Sequence, residues 1–419
     1  MSQSVVVVGL GYVGLPLAFE ACRNGFKVVG FDTSKDVLES LNSCKSYVDD
    51  IEDDQIKKMF DFGFLVTDDL SFVNDADYVI VCVPTPLSDD GIPDLDAVVA
   101  ASKMIASCIK PGVLVSLEST TYPGTTDGIF LKSLEEGSGL TAGKDFSLVY
   151  SPERIDPGNK DYNLRNTPKI VGGLTENCGK RGEEFYSLIV DTVVLTKGLR
   201  EAELSKLLEN TYRYVNIALV NELAVFCHEL GVDIWDSIDA AGTKPFGFES
   251  FYPGPGVGGH CIPIDPNYLS WIVRSLGHRF RMVELAHEVS ERMPFYIAKR
   301  VQDSLNADGK ALRGSVVLLL GVTYKPNISD QRQTPATPLA NHLLAMGAEV
   351  RFFDPYVDQF SIDGMPILCV DDFETAVVES DMAILVTAHN EIVDSVVLQK
   401  AKKILDTRGV LSGNNVERL

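Results

Sequence analysis

Cys261 has the clearest capacity for covalent chemistry in this chain, and it lies in an unusual segment, residues 253–268, which reads PGPGVGGHCIPIDPNY. Four glycines and four prolines in sixteen residues exclude a helix or an inner strand, because glycine loosens the backbone and proline lacks an N–H donor. A cysteine is most often a small buried apolar residue. This one follows His260 and two glycines, and Asp265 comes four residues later. The segment therefore predicts a shaped loop with an accessible thiol, which a nearby positive charge would hold as the nucleophilic thiolate.

A second motif, GLGYVG at residues 9–14, can bind a diphosphate. In such a turn the first glycine permits a tight bend, the second lets the backbone approach a pyrophosphate, and the third lets the helix pack on the strand. These positions are Gly9, Gly11 and Gly14, with Tyr12 and Val13 between the last two. The N-terminus of the following helix adds partial positive charge.

The elements around these glycines fit a dinucleotide-binding unit. Four β-branched residues, 5–8, predict a strand buried on both faces, and a helix at 12–24 and a strand at 27–31 follow. Asp32 ends that second strand. An acid at this position accepts both ribose hydroxyls of NAD and repels the 2′-phosphate of NADP, so the sequence predicts NAD as cofactor.

Three further strands end in polar turns. They are predicted at residues 77–83, 113–118 and 146–150. Thr85 follows the first strand, Thr120 the second and Glu153 the third. Each turn alone is typical of a solvent-exposed cap. Ligands of open α/β sheets bind at the carboxyl ends of the strands, so the three together predict one cleft.

A long amphipathic helix is predicted at residues 199–230, where apolar residues recur at intervals of three and four. Lys206 and Asn210 are four residues apart and therefore share one face of it. A lysine on a helix is usually a solvated surface group. Three apolar neighbours predict instead that the helix is well buried here: Leu207, Leu208 and Tyr212.

A second α/β unit begins at Ser315 with the strand VVLLLG. A helix at 335–346 and strands at 349–354, 382–387 and 403–406 are predicted to follow. Because the unit lacks the glycine motif, it predicts a second nucleotide site with different chemistry. Lys325 and Arg332 lie in the loop after its first strand, and in a chain of net charge −22 they are suitable anchors for phosphate.

The order of elements predicts an α/β protein with two Rossmann-like α/β domains joined by a long central helix and a helical middle domain. We expect an NAD-binding domain at residues 1–198, a central helical domain with the cysteine loop at 199–305, and a C-terminal domain at 306–419. Helices predicted at 268–276 and 283–305 complete the middle domain. At 419 residues the chain is long enough for two or three full cores.

Composition excludes several classes of protein. A net charge of −22 without a Lys/Arg cluster argues against nucleic acid and anionic membrane surfaces as partners. The eight cysteines show neither a CxxC pair nor metal-like spacing, which predicts a reduced cytoplasmic protein without a disulfide framework or a metal. No apolar run reaches the length of a membrane span.

Taken together, these motifs resemble the UDP-glucose/GDP-mannose dehydrogenases, NAD-dependent enzymes that oxidise the primary alcohol of a nucleotide sugar to an acid. The similarity covers nearly the whole chain, because GLGYVG, VPTP, STTYPGTT, SPER, EAELSKLLENTYR, GGHCIPIDP and GVTYKPNISDQR occur in the family's order. UDP-glucose members commonly carry a second glutamate four residues after the first in SPEFLxEG. Pro157 stands there in this chain, next to Asp156.

The resemblance implies roles for individual residues. Cys261 is the nucleophile, Lys206 and Asn210 line the reaction centre, and protons and water are handled by Asp265, Thr120 and Glu153. The implied substrate contacts are Glu153, Arg154, Lys206, Asn210, Tyr252, Gly258 and Lys325. The implied cofactor contacts are Gly9, Gly11, Tyr12, Val13, Gly14, Asp32, Thr85, Thr120 and Arg332.

The segment GTKPFGFESFYPGPGVGGHCIPIDP is most similar to the branch acting on UDP-N-acetylhexosamines, in particular UDP-N-acetylglucosamine 6-dehydrogenases. UDP-glucose and UDP-N-acetylmannosamine are the alternative substrates. Two other classes of protein stay open: a two-electron hydroxyacid or sugar-phosphate dehydrogenase, which needs no thiol, and a non-catalytic nucleotide-sugar sensor. The family also implies a homodimer or larger assembly, built partly on the long helix.

Overall fold

The structure is a computed structural model that describes residues 3–48, 51–88, 91–156, 159, 161–259 and 262–419. Its contacts divide the chain into two compact units. The first comprises Met1–Glu209 and Asn267–Leu276, and the second comprises Asn210–Pro266 and Gly277–Leu419. The expected division at residues 198 and 305 stays a prediction.

The described part of the first unit forms one eight-stranded sheet in the order β3-β2-β1-β4-β5-β6-β7-β8. The strands are β1 (Ser4–Val8), β2 (Lys27–Phe31), β3 (Leu65–Thr67), β4 (Tyr78–Val81), β5 (Leu114–Leu117), β6 (Ser147–Tyr150), β7 (Lys169–Gly173) and β8 (Val193–Leu195). Neighbouring strands are parallel except β6 and β7, which are antiparallel. The order 3-2-1-4-5-6 of the first six strands is that of the dinucleotide-binding Rossmann fold.

Helices cover both faces of this sheet, and the side chains of β1 are therefore buried on both faces. Val5 and Val7 belong to one buried apolar cluster, and Val6 and Val8 belong to another. The helices are α1 (Gly14–Arg23), α2 (Lys35–Asn42), α3 (Asp53–Asp61), α4 (Asp96–Ala106), α5 (Leu131–Ser138) and α6 (Glu176–Tyr186). Shorter turns are a 3₁₀ helix at Leu70–Asp75 and a π-helix at Thr126–Phe130.

Four helices follow along the chain: α7 (Leu199–Leu230), α8 (Ile234–Gly242), α9 (Asp265–Ser275) and α10 (Arg281–Ala307). The bounds of α7 are those predicted. Its burial differs from the prediction, because Leu207 is buried whereas Leu208 and Tyr212 are 60% and 47% exposed. The expectation of a well-buried helix is therefore wrong for these two residues. Successive residues point about 100° apart on a helix, so Leu208 faces away from the core that encloses Leu207.

The second unit is also built on a sheet, and its described strands are ordered β11-β12-β10-β9-β13-β14-β15. They are β9 (Val316–Leu320), β10 (Glu349–Phe353), β11 (Phe360–Ile362), β12 (Met365–Cys369), β13 (Met382–Leu385), β14 (Ile404–Asp406) and β15 (Val416–Arg418). Only the pair β11 and β12 is antiparallel among them. The helices α11 (Ala336–Ala345), α12 (Phe373–Glu379) and α13 (Asn390–Val393) and a 3₁₀ helix at Val396–Lys400 accompany the sheet.

The predicted fold class is confirmed, since both sheets are largely parallel and alternate with helices. The predicted strands and helices lie within a few residues of the observed ones. The sequence pattern did not predict β3, β7, β8, β11, β12 and β15, four of which have only three residues and therefore show little periodicity. Within the described ranges, no helix combines the length and apolarity needed to cross a membrane.

Candidate active site

The glycine turn after β1 has the geometry expected for binding a diphosphate. Gly9 has a φ of +90°, and a Cβ there would lie 2.7 Å from the carbonyl oxygen of Cys82. A Cβ on Gly14 would lie 1.9 Å from the carbonyl oxygen of Gly9, so only glycine lets α1 start this close to the turn. A Cβ on Gly11 would meet no protein atom within 4 Å. That open side leaves room for a pyrophosphate, and the half-buried Tyr12 and Val13 complete the turn.

Asp32 lies at the end of β2, next to this turn. Its Oδ2 accepts a hydrogen bond of 2.9 Å from the backbone N–H of Leu10, and its Oδ1 accepts one of 2.9 Å from that of Ser34. Tyr47, which the sequence analysis missed, donates its hydroxyl to the carbonyl oxygen of Leu10 at 2.7 Å. The turn and the carboxylate are thus held together, as an adenosine ribose and a diphosphate require.

The three predicted strand-end residues follow neighbouring strands of the first sheet. Because β4, β5 and β6 are adjacent and parallel, Thr85, Thr120 and Glu153 leave the sheet at one edge. The fully buried Tyr268 of α9 donates its hydroxyl to the carbonyl oxygens of Thr85 and Pro86 and so fixes the turn after β4.

Lys206 is paired with Thr120. Its ammonium donates to Thr120 Oγ1 at 2.5 Å, and the lysine side chain is buried, at 9% exposure. Its burial and its hydroxyl partner distinguish this lysine from a solvated helix lysine. The two residues together place a cation and a hydroxyl at the carboxyl end of β5.

Glu203 organises the turn that carries Thr120, and the sequence analysis missed it. Its carboxylate, fully buried, accepts hydrogen bonds from the backbone N–H groups of Gly124 (2.7 Å) and Thr126 (2.8 Å). It also accepts from the hydroxyls of Thr126 (2.7 Å) and Thr121 (3.4 Å). Burial raises the pKa of Glu203, and these hydrogen bonds oppose that effect. One turn of α7 thus supplies both Lys206 and the carboxylate that holds the loop carrying Thr120. The signal in the sequence was an acid three residues before the lysine, on the same face of the helix.

Glu153 lies just after β6 and is buried. Its Oε1 accepts hydrogen bonds from the backbone N–H groups of Arg154 and Ile155, at 2.6 and 2.7 Å. Its Oε2 lies 3.4 Å from the ammonium of Lys169 on β7. The guanidinium of Arg154 pairs with Glu209 at 2.6 Å and donates to the carbonyl oxygen of Pro168.

In the second unit, two of the predicted site residues, Asn210 and Asp265, are in direct contact. Asn210 Nδ2 donates to Asp265 Oδ2 at 2.5 Å, and both side chains are buried. Lys206 and Asn210 are one turn apart on α7, and each is paired within its own unit.

The glycine-rich loop packs on the loop after β9, also within the second unit. A Cβ on Gly258 would lie 2.7 Å from Cβ of Tyr324, and the N–H of Gly259 donates to the carbonyl oxygen of Arg332 at 3.2 Å. The predicted nucleophile Cys261 and its neighbour His260 lie outside the described residues.

The remaining predicted residues are placed as follows. Lys325 is half-buried in the loop after β9, and its carbonyl oxygen accepts a hydrogen bond from Thr323. Arg332 is exposed and forms a bidentate pair with Asp330. Tyr252 stacks on Trp235 and donates its hydroxyl to Asp239 at 2.6 Å.

Arg408, at the carboxyl end of β14, is a further cation that the sequence analysis missed. Its Nε donates to the carbonyl oxygen of Val386 at 2.7 Å, and a Cβ on Gly254 would lie 2.9 Å from its Nη1. Burial lowers the pKa of Arg408 to about 10, although Asp406 opposes this, so the guanidinium stays charged at neutral pH. Neither Nη has a hydrogen-bond partner in the described part of the chain. The strand-end rule that found Thr120 would also have found Arg408.

Comparisons with known proteins agree with this arrangement. Three models of the UDP-glucose/GDP-mannose dehydrogenase family match the chain in succession: the NAD binding domain at residues 3–190, the central domain at 200–292 and the UDP binding domain at 318–413.

Relatives match over most of their length. The UDP-N-acetyl-D-mannosamine dehydrogenase of Pyrococcus horikoshii is 34% identical over 414 residues, which are 98% of this chain and 95% of that one. The UDP-N-acetyl-D-glucosamine 6-dehydrogenase of Salmonella typhi is 35% identical over 356 residues, 84% of this chain and 82% of that one. The solved structure of UDP-D-ManNAc dehydrogenase from Pyrococcus horikoshii has a TM-score of 0.90 at 32% identity and covers 99% of both chains.

A Rossmann unit with an acid after β2, a buried lysine and a second α/β sheet define an NAD-dependent oxidoreductase with a nucleotide domain. The chain belongs to the UDP-glucose/GDP-mannose dehydrogenase family and is an NAD-dependent UDP-sugar dehydrogenase. The glycine turn and Asp32 are the residues that fit NAD.

Proposed function

We propose that this enzyme oxidises the C6 primary alcohol of a UDP-sugar to the carboxylate in two steps, and that the sugar is N-acetylglucosamine. The product, UDP-N-acetylglucosaminuronate, would serve surface polysaccharide synthesis. The observation that carries the proposal is the buried pair of Lys206 and Thr120 at the strand-end edge of an NAD-binding sheet. The names of the relatives support an N-acetylhexosamine, with UDP-N-acetylmannosamine and UDP-glucose as the alternatives.

The roles proposed for the side chains follow from the charge that develops. Bound NAD would accept the hydride from C6 in each oxidation step. The Cys261 thiolate adds to the C6 aldehyde to form a thiohemiacetal, and the second oxidation leaves a thioester that water hydrolyses. Each stage concentrates negative charge on one oxygen. The ammonium of Lys206 and the amide of Asn210 can stabilise that oxygen by several kcal/mol in a site that excludes water.

Proton handling falls to the acids and the hydroxyl. Asp265 holds the Asn210 amide through a 2.5 Å hydrogen bond and so orients its second N–H. Thr120 is hydrogen-bonded to Lys206 and can pass a proton between it and a substrate hydroxyl. The partners of Glu153 among the described residues are two backbone N–H groups and an ammonium, so its carboxylate is suited to accept a proton from water.

Cations of the second unit are proposed to bind the nucleotide diphosphate. Lys325 lies in the loop after β9, and Arg408 presents two Nη groups beside the glycine-rich loop. A fixed guanidinium can bind two phosphate oxygens at once, and this is valuable in a chain of net charge −22. Arg332 is proposed to contact the cofactor, and Arg154, Tyr252 and Gly258 the substrate.

We also propose that the enzyme is a cytoplasmic homodimer or larger assembly. Its support is a row of exposed apolar side chains on α7, the α7 stripe, which consists of Leu204, Leu208, Tyr212, Leu219, Leu223, Phe226 and Leu230. These residues recur at intervals of three, four and seven and so lie on one side of the helix. A second copy of the chain would bury them.

The function is tested with purified protein, NAD and a panel of UDP-sugars, by counting the NADH formed per sugar consumed. Two NADH per UDP-N-acetylglucosamine, and slower turnover of UDP-N-acetylmannosamine and UDP-glucose, would support the proposal. One NADH per sugar would indicate a two-electron dehydrogenase, and binding without NADH formation would indicate a sensor.

A further inference from the structure

The oxygen atoms of Glu153 have unequal surroundings. Oε1 accepts two short backbone hydrogen bonds, whereas the one partner of Oε2 among the described residues is the Lys169 ammonium, at 3.4 Å. All three partners are hydrogen-bond donors, and an environment of donors suits an ionised carboxylate, which can only accept. Oε2 therefore keeps capacity to accept another proton or hydrogen bond.

Lys169 is itself fully enclosed. Its side chain is 3% exposed, and its ammonium reaches three acceptors: Glu118 Oε2 at 2.6 Å, Glu153 Oε2 at 3.4 Å and the carbonyl oxygen of Pro152 at 3.5 Å. An ammonium has three N–H donors, so every one is assigned. Burial lowers the pKa of Lys169, but the carboxylates of Glu118 and Glu153 outweigh burial and leave it above its ordinary value.

Glu118 forms the shorter of the two ion pairs of Lys169. It is completely buried at the end of β5 and also accepts the Tyr186 hydroxyl at 2.5 Å, while Tyr186 is hydrogen-bonded to Ser116 at 2.8 Å. The Tyr186 ring lies 5.3 Å from the Lys169 ammonium. Glu118 thus has a short contact on each oxygen, and the ammonium is held within reach of Glu153.

We propose that Lys169 is a positioning residue of the reaction, which keeps the Glu153 carboxylate ionised and its Oε2 ready to accept a proton from the hydrolytic water. The inference rests on the proposed function. In that step the water oxygen bonds to the thioester carbon, the carbon–sulfur bond breaks and the Cys261 thiolate leaves. One water proton passes to Glu153, and the product acid releases the other to solvent. Burial favours the neutral form of an acid, which could not accept that proton, and a nearby cation opposes this effect.

The charged and titratable groups around Glu153 decide whether its ionised form is favoured. Lys169 of β7 favours the charged form of Glu153, and Glu118, the residue after β5, opposes it. Cys82, after β4, is coupled electrostatically to both carboxylates, and burial raises its pKa well above the ordinary value, so the thiol is neutral. The Arg154 guanidinium is directed to Glu209 and Pro168. Lys169 is therefore the cation nearest Glu153 among the described residues.

The test is the pH dependence of kcat with the preferred UDP-sugar for the wild type, K169M, K169R and E153Q. Removal of a cation beside a carboxylate should move the acidic limb of the profile to higher pH by about 1–3 units. K169R should keep the limb near its wild-type position, and E153Q should remove it. K180M, which alters an exposed lysine on α6, is the matched control and should not move the limb. A K169M limb at the wild-type pH would overturn the proposal.

A second variant covers failure of K169M to fold. E118Q keeps the shape of the side chain but removes a negative charge from the cluster, so the acidic limb should move to lower pH. A limb that stays in place or moves upward would contradict the role of Lys169. The opposite signs of the two shifts separate an electrostatic effect from general damage.

Infrared titration without substrate separates this inference from the proposed function. The carbonyl band of protonated Glu153, identified by its absence in E153Q, should have a higher midpoint in K169M than in the wild type. That result would support the role of Lys169 even if no UDP-sugar were oxidised. Equal midpoints would overturn it even if the enzyme were active.

Discussion

Buried charged side chains contact the residues proposed to be catalytic, or the turn that carries them. Lys169 contacts Glu153, and Glu203 holds the turn that presents Thr120 to Lys206. Removing a charge from water is costly unless it is paired and hydrogen-bonded. Lys169 is paired with Glu118 and Glu153, and Glu203 accepts four hydrogen bonds, so these contacts offset the cost of burying both groups.

Asp32 is predicted to decide between NAD and NADP. In Asp32→Ala the charge that repels a 2′-phosphate is gone, and so is the acceptor for the ribose hydroxyls. The ratio of kcat/KM for NAD to that for NADP should fall at least about tenfold, which corresponds to about 1.4 kcal/mol of discrimination between the two cofactors. Steady-state kinetics with both cofactors measures it. Equal use of NAD and NADP by the wild type would refute the prediction.

Cys261→Ser tests the thioester. A serine oxygen is far less nucleophilic at neutral pH, and an ester is hydrolysed less readily than a thioester, so turnover should stall after the first oxidation. NAD and UDP-sugar binding should be largely kept, since sulfur and oxygen differ little in volume. Mass spectrometry would detect any covalent sugar adduct. Two NADH and free UDP-uronate at the wild-type rate would show that the thiol only packs.

At the scale of elements, helix α7 carries different surfaces on its two sides. By the 3.6-residue repeat, Glu203, Lys206 and Asn210 lie on the side opposite the α7 stripe. The stripe extends over about 40 Å at 1.5 Å per residue. One helix therefore joins the proposed chemistry to a surface suited to assembly.

Glu203→Ala should destabilise the first unit. It leaves the N–H groups of Gly124 and Thr126 without their carboxylate, and a buried donor without a partner costs about 1–3 kcal/mol. The urea midpoint and the kcat should both fall. Glu201→Ala, an exposed acid on the same turn, is the control and should cost less than about 1 kcal/mol. Equal midpoints for the two variants would contradict the role of Glu203.

At the scale of the whole molecule, each sheet has an aspartate after its second strand, but the two aspartates have different neighbours. Asp354 follows β10 as Asp32 follows β2, and it accepts from the backbone N–H of Val322 as Asp32 accepts from that of Leu10. In the second unit, however, the buried His389 contacts Asp354 at 3.0 Å. The Asp354 carboxylate is thus covered by a histidine, whereas the Asp32 carboxylate faces the glycine turn. This difference agrees with a second nucleotide site of different chemistry.

The assembly prediction belongs to this scale. Leu208→Glu places a charge within the α7 stripe, so a dimer built on it should dissociate, and light scattering should show the monomer mass. Arg213→Glu, which is exposed on the same helix but outside the stripe, should leave the mass unchanged. A wild-type monomer at working concentration would refute the prediction, as would a Leu208→Glu variant of unchanged mass.

The sequence alone determined what depends on local order. The strand, glycine turn, helix and acid of residues 5–32 follow from periodicity and backbone geometry. So do the bounds of α7 and the position of Lys206 and Asn210 on one face of it. The meeting of Thr85, Thr120 and Glu153 at one edge also followed from the order of the strands, because parallel neighbours end on the same side.

Tertiary structure decided what depends on residues far apart in the chain. Lys169 and Glu118 are separated by 51 positions, and no periodicity indicates that they meet at 2.6 Å. Leu208 and Tyr212 fit an apolar helix pattern equally well whether the protein or a partner covers them, so their exposure could not be predicted. The half-buried Arg408 lies beside Gly254, 154 positions earlier, and this contact is the basis of the role proposed for it. Such contacts arise because packing satisfies each buried charge with whichever partner the fold brings near, and local sequence carries no record of that partner.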